Sequence, residues 1–244
     1  MSIGLGEPPS IQDAAERHLL TAPIEIVRSF IITSDPGGGH PTKRTLLLSG
    51  GQTVVAKCAP PGDLNQLQQA KHEVAAWKLL RLLGWQDLGA TTVLRTFEDP
   101  VLGMVTAALQ TAWPSEMFDA APAPASLPQD QTFRAAIFDF LILNCDRGGH
   151  NWFGLKTDCA VGRLKLFDHG HCFGLHAAQV SSTFVAHHAG QDLPDDCRQA
   201  LRGLTSDRLA ELRGLLETDV IDGMARRCAE LLTSVGLPSV AAAA

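Results

Sequence analysis

The sequence lacks any block of lysine and arginine. Its 20 basic residues are dispersed among 26 acidic ones, giving a net charge of -6 at pH 7. Neither a nucleic acid nor an anionic membrane surface is therefore an expected partner. No apolar run approaches the roughly 20 residues that a membrane helix needs. The opening MSIGLGEPPSIQDAAERHLL has no basic segment followed by an apolar one, so neither a signal peptide nor stable membrane insertion is expected. CxxC pairs are also missing. Cys58, Cys145, Cys159, Cys172, Cys197 and Cys228 lie far apart, which argues against a disulfide framework and for a reducing, cytoplasmic setting. There is no internal repeat.

What is present suits a soluble globular protein. Hydrophobic residues make up 45% of the 244 positions and charged residues 19%, enough to bury a sizeable core in one domain of two small lobes or in two domains at most. Ile24 to Ile32 reads as a strand, punctuated by SDPGGGHP (34–41). Thr45–Leu48 and Thr53–Lys57 flank the tight turn Ser49, Gly50, Gly51, Gln52 and predict an antiparallel sheet. A long helix is expected from Leu64 to Leu83, stopped by Gly84. Strands near Thr91–Arg95 and Gly103–Ala107 follow.

The Pro- and Ala-rich stretch 120–130 is the best linker. Beyond it come a helix over Gln131–Asn144, short strands at Trp152–Leu155 and Leu164–Phe167, and helices from Asp195 onward, with Ser206 as the expected N-cap of DRLAELRGLLE. The expected division is an arm at 1–20, an N-lobe at 21–119, the linker at 120–130 and a C-lobe at 131–244, a mixed α+β arrangement.

Several polar residues stand where chemistry is expected. Lys57 ends the strand TVVAK, where an amine can reach phosphate oxygens; the plainer reading is a surface lysine whose stem lies along the protein. Glu73 shares a helical stripe with Ala70, Trp77 and Leu80, and a carboxylate on such a stripe is costly unless paired. Lys57 is the nearest cation upstream, and a lysine oriented by a glutamate is what a nucleotide site requires. In FDFLILNCDRGGHNWFG (138–154), Asp146 and Asn151 sit five apart in a glycine-containing loop between a helix and a strand. Such a loop can aim a carboxylate at an acceptor hydroxyl and an amide oxygen at a cation, although Asp, Asn and Gly are also common turn residues. In KLFDHGHCFG (165–174), Asp168 closes an apolar strand and Gly170 lets the chain bend away.

Together these segments resemble the catalytic and metal-binding stretches of bacterial proteins related to the phosphatidylinositol 3-/4-kinases, in which the loop reads D-R-x-x-x-N and the metal motif D-x-G. HEVAAWKLLRLLGW (72–85) resembles that group's lobe helix. The similarity runs from about residue 45 to 175.

The resemblance implies a two-lobed protein-kinase-like fold, with a small antiparallel-sheet N-lobe and a mainly helical C-lobe. It also implies transfer of phosphate from ATP, with magnesium, to a hydroxyl of a protein, small molecule or lipid headgroup. Lys57 and Glu73 would bind the nucleotide phosphates, Asp146 would be the catalytic base, Arg147 and His150 would support the loop, and Asn151 and Asp168 would hold magnesium. The sequence departs from the pattern in places. Gly148 stands where the related loop often has histidine, GGGH (37–40) does not fit G-x-G-x-x-G, and no A-P-E segment follows Asp168.

Two rival readings exist. Cys145, His150, Cys159, His169, His171 and Cys172 cluster in sequence, as a zinc site would, but at irregular spacings. The same fold could also serve as a pseudokinase, a nucleotide- or protein-binding module without chemistry.

Overall fold

Alternation along one strand sets the plan of the first sheet. In the computed structural model, which describes residues 11–29, 42–112, 118–120, 122–149, 151–157, 160–174 and 180–238, β3 (Thr53–Ala59) buries Val54, Ala56 and Cys58 completely on one face. Lys57, of opposite parity, points to the other face. Strands β1 (Ile24–Ser29), β2 (Thr42–Leu48), β4 (Thr92–Asp99) and β5 (Gly103–Thr111) complete an antiparallel sheet in the order β1-β2-β3-β5-β4. The turn predicted at 49–52 joins β2 to β3, with Gly50 and Gly51 at φ 87° and 82°. The glycine-rich stretch 37–40 lies outside the described residues.

Helix α2 (Leu64–Leu83) forms where expected. The Asp63 side chain accepts from the Gln66 N–H at 2.9 Å, and Gly84 ends the helix in the left-handed conformation at φ 75°. This is the N-cap and glycine C-cap pairing that helix ends favour. The helix covers the Lys57 face of the sheet, where Ala70 and Val74 meet Ala108. Its far side joins the second lobe's core through Leu79, Leu80, Leu82 and Leu83.

The opposite sheet face packs Leu46, Leu48, Val93, Phe97, Val105 and Leu109 around Leu19 of α1 (Ile11–Thr21). Helix α1 thus lies on this face beside β4, whose Arg95 side chain donates to the Leu19 and Ala22 carbonyls.

The second lobe holds a three-stranded antiparallel sheet, β6 (Phe118–Ala120), β7 (Trp152–Thr157) and β8 (Ala160–Leu166), with helices α3 (Gln129–Leu141), α4 (Thr183–His188), α5 (Asp195–Arg202), α6 (Ser206–Leu209) and α7 (Thr218–Thr233). Phe133, Ile137, Phe138 and Leu141 of α3 enter one core with Leu164, Phe184, Leu201 and Met224. Helix α3 stops earlier than its sequence suggested, because the chain turns out of the helix through Leu143 at φ 49°.

The segment after Thr205 also differs from expectation. Thr205, not Ser206, caps α6, its hydroxyl accepting from the Arg208 N–H, and the helix has only four residues. Arg213 is extended at ψ 142° and Gly214 takes φ 84°, so DRLAELRGLLE cannot continue as one helix. Among the described residues no helix is long and apolar enough to cross a membrane.

Candidate active site

The parity that turns Lys57 away from the sheet core points it at α2 and at the loop after β8. Lys57 Nζ donates to Glu73 Oε1 and, at 2.7 Å, to Asp168 Oδ1. Lys57 and Glu73 are 6% and 2% exposed. Burial disfavours the lysine's charge, but Asp168 and Glu73 outweigh it, so its pKa is raised. Burial likewise opposes the Glu73 charge, yet Lys57 and the His169 hydrogen bond bring that carboxyl down to about 2. For Asp168 the Lys57 charge is the largest influence; it overcomes burial and, with Lys43, holds the carboxyl well below the usual range.

Glu73 also organises the Asp168 loop. It accepts from the His169 backbone N–H at 2.8 Å and from the ring Nδ1 at 3.3 Å. An ionised carboxylate has no proton to give, so Nδ1 is the donor, and burial lowers the His169 pKa and keeps the ring neutral. Next to it on α2, His72 Nδ1 donates to the Gly170 carbonyl at 3.2 Å. Burial brings His72 down to about 4, so it too is neutral. A Cβ on Gly170 would lie 3.3 Å from Gln69 Cβ, so the loop presses closely on α2 at that point. Asp168 itself sits at φ 60°, a left-handed conformation that Asp tolerates better than most residues.

Lys43 was not singled out in the sequence. It faces Lys57 across the β2–β3 ladder, and its Nζ lies 3.3 Å from Asp168 Oδ2. The signal was available, since a hairpin centred on Gly50 brings the two lysines opposite each other and onto the same face.

The loop after α3 carries the other sequence-predicted residues. Asp146 is exposed, and its N–H donates to Asn144 Oδ1 at 3.0 Å. Asn151 Nδ2 donates to the Asp146 carbonyl at 2.5 Å and to Asp146 Oδ2 at 3.2 Å. The two are therefore brought together, and the amide oxygen of Asn151 remains the side that can accept a cation.

Arg147 is placed differently from a residue that meets substrate. It is 1% exposed. Its Nε and Nη2 bond Asp139 of α3 at 3.0–3.2 Å, and its Nη1 donates to the carbonyls of Asn151 and Phe167 at 2.7 Å each. It acts as a positioning residue, linking α3, the Asp146 loop and the residue before Asp168. His150 lies outside the described residues.

Asp139 went unnoticed in the sequence. It also accepts from Asn144 Nδ2 at 2.9 Å and Ser182 Oγ at 2.7 Å. Breaking a buried ion pair by deleting one partner leaves a buried charge uncompensated, at about 3–5 kcal/mol. Asp139→Ala is therefore expected to lower unfolding free energy by about that amount in urea denaturation; a loss below about 1 kcal/mol would show the pair to be structurally idle.

Two side chains of the rival zinc reading have partners of their own. His169 serves Glu73, Cys145 Sγ donates to the His171 carbonyl at 3.2 Å, and burial pushes the Cys172 thiol up. His150 and Cys159 lie outside the described residues. Among the described residues no three His, Cys, Asp or Glu side chains gather as a metal group. Asp168 and Asn151 carry hard oxygen donors of the kind magnesium and manganese take, and both Asp168 oxygens here accept from lysines, Oδ1 from Lys57 and Oδ2 from Lys43.

The fold has solved counterparts. A crystal structure of the Golgi casein kinase with Mn and ADP bound aligns with a TM-score of 0.61 at 16% identity, covering 91% of this chain and 74% of that one. A second structure of the Golgi casein kinase gives 0.59 at the same identity and coverage. The Helicobacter pylori proinflammatory kinase CtkA gives 0.46 at 13% identity, covering 89% of this chain and 94% of that one. No family model matches the chain, and no curated protein does. The two casein kinase alignments show a two-lobed kinase-like fold of the α+β class.

Proposed function

We propose that the chain is a phosphotransferase that moves the terminal phosphate of ATP to a hydroxyl, with a divalent cation, in the manner of the phosphatidylinositol 3-/4-kinase relatives that its loops resemble. The observation that carries this reading is Lys57, held between Glu73 and Asp168 where β3, α2 and the loop after β8 meet. A buried lysine with two carboxylates is an expensive arrangement for stability alone. It is economical for a site where the amine takes phosphate oxygens and one carboxylate takes a cation.

In this reading Glu73 keeps Lys57 oriented and Lys43 adds a second positive charge to the phosphate path. Asp168 and the Asn151 amide oxygen hold magnesium or manganese, whose contribution is to neutralise charge on the phosphates. Asp146, exposed at the head of its loop, meets the acceptor. The acceptor class is left as a protein, small-molecule or lipid hydroxyl. The Golgi casein kinase, whose structure holds Mn and ADP, lends the proposal support through its fold.

Titration calorimetry with ATP is the test. Binding is expected with magnesium or manganese and is expected to weaken by at least about tenfold in chelator, as two of the binding groups act through the cation. ADP formation under the same conditions distinguishes an enzyme from a pseudokinase. No binding under either condition would sink the proposal.

A further inference from the structure

Helix α2 sets the geometry on which Lys57 and the Asp168 loop depend, yet the fully covered part of its seat on the sheet is only Ala70, Val74 and Ala108, with Leu94 and Leu215 partly buried against them. Such a surface offers few ridges to fix a helix's angle. Leu79, Leu80, Leu82 and Leu83 seat its last turns in the second lobe's core, and a polar tie to α1 is added on the side that carries Glu73. Trp77 and Arg81 follow Glu73 at successive four-residue steps and so continue its side of the helix. Both end on Glu16 of α1, whose Oε1 accepts from Trp77 Nε1 at 2.8 Å and from Arg81 Nη1 at 2.6 Å. Asp13 takes Arg81 Nη2 at 2.8 Å.

The far end of α1 is tied to the sheet. Arg95 of β4 donates to the carbonyls of Leu19 and Ala22 at 3.0 and 2.7 Å, and Leu19 is fully buried. The chain after α2 closes on Trp77 and its neighbour Leu80: a Cβ on Gly89 would lie 2.6 Å from Leu80 Cδ1 and 3.4 Å from the Trp77 ring.

We infer that Glu16 is a positioning residue that holds α2 at the angle at which Glu73 meets Lys57 and His169, a role that rests on the phosphotransferase reading. Its carboxylate is the joint between a helix anchored on β4 and the helix that carries Glu73. Glu16 and Arg81 are partly exposed, at 23% and 34% of their side chains, so their ion pair adds little to global stability. Its effect is on orientation, where small displacements change rate steeply.

The test compares Glu16→Ala, Glu16→Gln, Glu73→Gln and the Glu16→Ala/Glu73→Gln double variant. Amide hydrogen exchange over residues 64–83 is expected to quicken about 5- to 10-fold in Glu16→Ala without a matching shift in the global unfolding midpoint. Phosphoryl transfer is expected to fall about 5- to 20-fold. Glu16→Gln, which keeps an acceptor for Trp77, should recover most of both. The double variant should lose no more activity than Glu73→Gln alone, because both act through one contact.

Unchanged exchange in α2, or losses that add in the double variant, would overturn the inference. Should the unaltered protein transfer no phosphate, the catalytic reading fails, while the exchange measurement still decides whether Glu16 holds α2.

Discussion

Asp168→Asn is expected to lower phosphoryl transfer on the order of 1,000-fold while the chain still folds. A cation on the phosphoryl oxygens is worth several kcal/mol in the transition state, and each ~1.4 kcal/mol is a factor of ten in rate. An amide in place of the carboxylate keeps one oxygen but loses the charge that binds the cation. Folding should survive for two local reasons. Asparagine accepts the left-handed backbone that residue 168 adopts at φ 60°. Lys57 also keeps Glu73 as its buried partner. Turnover and thermal unfolding measured on the same preparation check both halves. Activity within tenfold of the unaltered protein would remove Asp168 from the cation site, and an unfolded variant would make its role structural.

The second large effect belongs to Asp146. As the acceptor oxygen bonds to the terminal phosphorus and the bond to the bridging oxygen breaks, the hydroxyl proton must move to a base. The exposed carboxylate of Asp146 can take it, and an amide of the same shape cannot. Asp146→Asn is therefore expected to slow single-turnover transfer by about 100- to 10,000-fold. Nucleotide affinity should change little, since Lys57, Lys43 and Asp168 are untouched. The contact from Asn151 Nδ2 to the Asp146 backbone carbonyl is retained in this variant, so the loop keeps its main tie. Near-normal transfer would mean that Asp146 only shapes the loop.

The residues legible in the sequence were those whose chemistry is local. Gly84 announced the end of α2, and TVVAK announced a strand ending at Lys57, while the Asp63 cap and the face that Lys57 takes came with the structure. Glu73 stood out as a carboxylate on an apolar stripe, and the structure pairs it with Lys57. Asp139 stands in the same situation, an acid amid Phe138, Phe140 and Ile137, and the argument used for Glu73 would have found it. Lys43 needed the hairpin register, and His72 and His169 needed the packing of a loop against a helix far away in the chain. Glu16 had no local signal, because its partners lie more than 60 positions onward. The capping of α6 was missed because Thr205 and Ser206 are both good N-caps, and only the backbone bend selects between them.

The ties of the Asp146 loop also fix when that loop can exist. Its backbone is stitched to a later stretch: Arg147 N–H donates to the Ser181 carbonyl at 3.0 Å, Ser181 N–H to the Asn144 carbonyl at 2.8 Å, and Thr183 Oγ1 to the Arg147 carbonyl at 3.1 Å. Ser182 supplies one of the bonds on Asp139. During synthesis the ribosome delivers Asp146 well before these partners. The nascent chain therefore holds the Asp146 carboxylate on an unbraced loop until Thr183 has emerged, and any chain that ends earlier has the motif without the scaffold that shapes it.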